Sequence, residues 1–115
     1  MYIYELHSEK PNDQFNQNTI KTLVRQASRW SIASKQDESP LISVLHANYG
    51  AGYLWALFDI VTTDEIQQYA NIVVLKFKNE ITNMQNFATQ KMTKICPNFF
   101  NDDSYLAYVT GNKST

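Results

Sequence analysis

Cysteine occurs once in this chain, at Cys96, so no disulfide can form within it. A disulfide-stapled secreted scaffold is thereby excluded, and a lone thiol suits a reducing compartment. Glycine and proline number three each, too few for a fibrous or low-complexity chain. Histidine occurs only at His7 and His46, and with no ligand spacing around them neither a metal site nor a cofactor is expected. Charge is sparse and balanced: ten basic against eleven acidic side chains leave a net charge of −1. No dominant electrostatic partner is therefore written into the chain as a whole. Dinucleotide-binding and phosphate-binding glycine loops, CxxC pairs and HExxH are all missing. The stretch Met1–Glu9 has no basic region followed by an apolar run, so the chain is not expected to be secreted.

What is present is a globular composition. Hydrophobic residues make up 43% of 115 residues, the size of one domain. Eleven Asn and eight Gln nearly match the charged residues in number. Codon drift in an AT-rich genome is the simplest account of that surplus, with an amide-rich contact surface as the alternative.

Helical periodicity organises the middle of the chain. Asn18 reads as an N-cap, and behind it Ile20, Leu23, Val24, Ala27 and Trp30 share one face of a helix over about 19–35. Lys21, Arg25 and Arg29 form a second, basic face, and Ile32 lies on that side. Ser39-Pro40 is a strong start signal, a capping hydroxyl followed by proline in the first turn. Thr62 and Glu65 stand at capping-box spacing before a short helix over about 63–70, which Asn71 breaks or bends. From Ile72 to Cys96, Val74, Phe77, Ile81, Met84, Ala88, Met92 and Ile95 step by threes and fours, a one-faced helix that Pro97 stops.

Leu41–Phe58 is different: it carries no formal charge, and its apolar residues cover the whole circumference. Burial on all sides is the expectation. A membrane span is disfavoured by His46 and Asn48 within it and by the lack of flanking basic clusters. Two glycines in a helix cost about 1 kcal/mol each against alanine, so something should offset them. Ser43, Ala47, Gly50 and Ala51 form a small-residue strip where another helix can come close, with a kink or ligand-facing notch at Gly50–Gly52 as the alternative. The expected fold is all-α: a small helical bundle over 19–98 with a buried central helix (about 40–60). Extended arms at 1–18 and 99–115 complete it, and Tyr2–Leu6 and Tyr105–Val109 are candidates for a short strand pair.

The run Leu45-His-Ala-Asn-Tyr-Gly-Ala-Gly-Tyr-Leu-Trp-Ala-Leu, with Arg25-Gln-Ala-Ser-Arg-Trp before it and Lys94-Ile-Cys-Pro-Asn after it, resembles short uncharacterised proteins of large DNA viruses and environmental viral sequences. The resemblance spans about residues 22–98. It implies a viral origin, in keeping with the AT-rich composition, and it brings no known activity or catalytic residue.

The candidate sites follow from chemistry. His46, with Tyr49, Tyr53 and Trp55, forms a candidate buried polar cluster in which a tyrosine hydroxyl satisfies the imidazole. Asp59, thirteen residues along the same helix, is roughly 20 Å away and cannot serve as its partner. Cys96 at a helix C-terminus reads as a small apolar filler, because the dipole there disfavours a thiolate. Lys21, Arg25, Arg29 and Ile32 form one candidate protein interface. The aromatic arms, Tyr2, Tyr4, Phe99, Phe100, Tyr105 and Tyr108, form another. The leading expectation is a non-enzymatic viral structural or assembly protein, in the virion or the host cytoplasm, whose partners are other protein subunits such as capsid proteins. The alternatives are a small nucleic-acid-binding or regulatory module using the basic helix, and a ligand-binding or enzymatic site around His46.

Overall fold

The computed structural model describes residues 11–98, together with Val109 and Gly111. Four helices follow in order: α1 (Pro11–Gln36), α2 (Pro40–Ile60), α3 (Thr63–Ala70) and α4 (Val74–Ile95). The fold is an all-α bundle, with no strand among the described residues. The strand pair and the arm residues Tyr2, Tyr4, Phe99, Phe100, Tyr105 and Tyr108 lie outside those residues.

Local chemistry sets most boundaries. The Ser39 side chain accepts a hydrogen bond from the Ile42 amide at 3.3 Å, and Pro40 occupies the first turn of α2. Thr62 Oγ1 accepts from the Glu65 amide while Glu65 Oε1 accepts from the Thr62 amide, so the capping box is closed in both directions. Asn71 takes the left-handed conformation (φ 56°, ψ 48°) and its amide donates to Gln67 O, ending α3. Asparagine tolerates that conformation better than most residues with a Cβ.

The start of α1 differs most from the sequence reading, while α4 starts two residues later than read, at Val74. α1 starts at Pro11, so it takes in part of the stretch expected as an arm. Asn18 does not cap it; its Oδ1 accepts from Gln14 Nε2 one turn earlier. The residues of its first turns are mostly polar, and Phe15 is open to solvent, so no apolar stripe announces them.

α2 packs against both α1 and α4, and α3 packs against α1 and α4. Core size tapers along the bundle. At the α3 end, Ile20, Leu57, Ile66 and Val74 bring one buried residue from each helix. Ala27, Ala51, Leu54 and Ile81 fill the middle, and Val44, Ala47 and Ala88 the far end. The shrinking side chains let α1 and α2 close up toward the turn that joins them. There Ser34 Oγ donates to Ser43 O at 2.7 Å and Ser43 Oγ donates to Ser34 O at 2.8 Å, both groups buried. At Gly50 the approach is close: an added Cβ would stand 2.4 Å from Ser31 Oγ. The small-residue strip of α2 is thus the seam with α1.

α2 is not buried on all sides. Ser43, Val44, Ala47, Gly50, Ala51, Leu54 and Leu57 face inward, and the opposite side is open. The reason is a shortage of cover, since α1 and α4 both pack on the side that carries these residues. No helix among the described residues is long and apolar enough to cross a membrane.

Candidate functional site

The open side of α2 carries Leu41, Ile42, Leu45, Tyr49, Tyr53 and Trp55, all substantially exposed. Leu45 is 39% exposed, and Tyr49 and Trp55 are each 49% exposed. At 100° per residue, Leu45, Gly52 and Ala56 run down the middle of this side. Tyr49 and Tyr53 flank them toward α1, and Trp55 flanks them toward α4. Between the tyrosines and the α2 backbone lies an open groove of about 540 Å³, lined by Trp30, Asn48, Tyr49, Gly52, Tyr53 and Ala56.

The α1 wall of this groove is built from a polar pair and rings packed tilted or edge-on. His46 Nδ1 donates to Asp37 Oδ2 at 2.7 Å, and both side chains are about three-quarters buried, at 24% and 22% exposure. The imidazole packs on Trp30 with centroids 4.9 Å apart, and Trp30 meets Tyr49 edge-on at 5.3 Å. Asp37 fixes the ring of His46, which in turn holds Trp30 and Tyr49 upright. The partner of His46 is therefore a carboxylate from the α1–α2 connection, not a tyrosine hydroxyl. Of the expected polar cluster, His46 is largely buried, while Tyr49, Tyr53 and Trp55 stand on the open side. The buried cluster read from the sequence is thus corrected to a rim around a groove.

On the α4 side, Gln85 Nε2 donates to Asn48 Oδ1 at 2.8 Å, tethering α4 to α2. Trp55 packs edge-on against Phe58 at 5.7 Å, with Lys78 Nζ 5.7 Å from its ring. The groove is framed on both sides by contacts that order its walls before anything enters.

Lys21, Arg25, Arg29 and Ile32 are exposed along α1. Ile32 lines a separate shallow groove with Ser28, Ser31, Phe77, Glu80, Ile81 and Met84, on the α4 side of α1. Trp30 projects to the other side, into the α2 groove. The structure does not bring the basic stripe and the aromatic face together. Cys96 caps α4 with its amide donating to Met92 O and is partly exposed. Among the described residues, no group of three His, Cys, Asp or Glu is placed to hold a metal ion.

Sequence reasoning missed Asp37, Trp30, Leu41, Leu45, Gly52 and Ala56 as parts of one site. The available signal was the helical wheel of α2, on which Leu45, Gly52 and Ala56 fall together on the side opposite Gly50 and Leu54. No family model, curated protein or solved structure matches the chain.

Proposed function

We propose that the chain is a non-enzymatic structural or assembly protein that works through protein–protein contacts, as a minor component of a virus particle. The open apolar face of α2 carries this reading. The exposed parts of Leu41, Ile42, Leu45, Tyr49, Tyr53 and Trp55 amount to roughly 600 Å², the upper end of what a soluble monomer leaves uncovered. Its aromatic residues are the types that anchor interfaces, and its walls are ordered by the Asp37–His46 and Gln85–Asn48 bonds. Little side-chain entropy is then lost on docking. The exposed Lys21, Arg25 and Arg29 offer a second contact surface, for an acidic subunit, on another side of the bundle.

The test compares the tagged full chain with a Leu45→Glu/Tyr49→Glu variant whose far-UV circular dichroism is unchanged. A particle subunit in fixed ratio should accompany the full chain and be lost with the variant. Purified particles that lack the chain by mass spectrometry, or equal recovery with both forms, would refute the proposal.

A further inference from the structure

The middle row of the open face is unevenly built. In its N-terminal half stand Leu41 and Leu45, and in its C-terminal half Gly52 and Ala56. Gly52 has no structural task among the described residues: a Cβ added there would meet none of them within 4 Å. A helical glycine that nothing crowds forgoes about 1 kcal/mol against alanine. Its neighbour Gly50, by contrast, is needed for the α1 seam. A hole at Gly52 has value only if something beyond the four described helices fills it.

We infer that a second copy of this chain does so, by antiparallel packing of α2 against α2. The inference rests on the reading of this face as a protein interface and names its occupant. A two-fold axis between Asn48 and Tyr49 sets Leu45 of each copy over Gly52 of the other, and Leu41 over Ala56. Every bulky residue of the row meets a small one, and the match repeats itself, as an isologous interface requires. A shallow crossing of about 20° keeps both pairs in register. Charge is neutral where the copies meet most closely: nothing from Leu41 to Phe58 is charged, and the nearest acids in this register, exposed Glu38 and Asp59, come opposite each other only at the two ends, where their repulsion limits the affinity. Area agrees as well. Roughly 600 Å² from each copy makes about 1,200 Å², the lower bound of specific interfaces. A modest, reversible dimer is the expected product, with the aromatic residues flanking the seam.

The test is sedimentation equilibrium of the full chain up to about 200 µM, a range that resolves micromolar affinities. The wild type should reach dimer mass within it. Gly52→Leu fills the hole, and Leu45→Glu places one charge per copy in the seam. Each should weaken association by roughly a hundredfold with helix content unchanged by circular dichroism. The swap Leu45→Ala/Gly52→Leu moves the bulk across the pair and should restore the dimer. A wild type that stays monomeric at the highest concentration overturns the inference, and the subunit-recovery experiment above then judges the interface reading by itself. Dimerisation that survives both single variants, or a swap that fails to recover it, overturns the pairing.

Discussion

Gly50→Ala tests the α1–α2 seam with one carbon atom. The new Cβ would stand 2.4 Å from Ser31 Oγ, 3.0 Å from Ala27 O and 3.2 Å from Ser31 N. The first contact is with a side-chain tip, but two of the three are with backbone, which yields only if the helices part. Alanine's helix propensity favours the variant by about 1 kcal/mol. Overpacking a tight seam costs about 1–3 kcal/mol, and parting the helices also strains the buried Ser34–Ser43 bonds further along. The net expectation is a loss of about 1–2 kcal/mol, with the melting temperature falling by roughly 4–8 °C per kcal/mol for a domain of this size. The control lies two residues on. Gly52→Ala meets none of the described residues within 4 Å, so it should gain up to about 1 kcal/mol. Urea unfolding followed by circular dichroism at low micromolar concentration measures both. Ser31→Ala supplies the coupling: its hydroxyl is buried without a partner, and its removal should recover part of the Gly50→Ala loss in a double-mutant cycle. If the two glycine variants shift stability in the same direction, the close-approach argument is wrong.

Two further outcomes follow from the polar contacts. Ser34→Ala and Ser43→Ala should each cost about 1–2 kcal/mol, because each strands a buried group. The double variant should cost less than their sum, and additivity in denaturant titrations would contradict the reciprocal bonding. Asp37→Ala should cost about 1 kcal/mol and loosen His46, Trp30 and Tyr49, seen as a weakened near-ultraviolet dichroism with helix content preserved; an unchanged aromatic signal would show that the carboxylate does not order the wall.

The parts of this fold that were readable from residues alone are those decided within a few residues. Ser39-Pro40, the Thr62–Glu65 box, Asn71 and Pro97 act on the adjacent backbone, and each helix boundary they imply is present. The early start of α1 was hidden because its first turns are polar and need no apolar stripe. The open side of α2 was hidden for the opposite reason. With apolar residues all round, periodicity carries no direction, and only the placement of α1 and α4 decides which half is covered. Gly50 was legible as a close-approach residue within a small-residue strip. Gly52 was not separable from it by composition, although 200° of helix rotation puts it on the other side. Asp37 was missed because its bond to His46 crosses the turn between two helices.

The chain's two tryptophans stand on either border of the open α2 face. Trp30 lines the groove from α1, and Trp55 borders the face on the side of α4 beneath Lys78. Each indole is partly wetted in the free subunit. Anything that covers this face must strip water from both rings. Intrinsic emission is thus a built-in gauge of occupancy, and replacing either tryptophan with phenylalanine assigns the signal to one border.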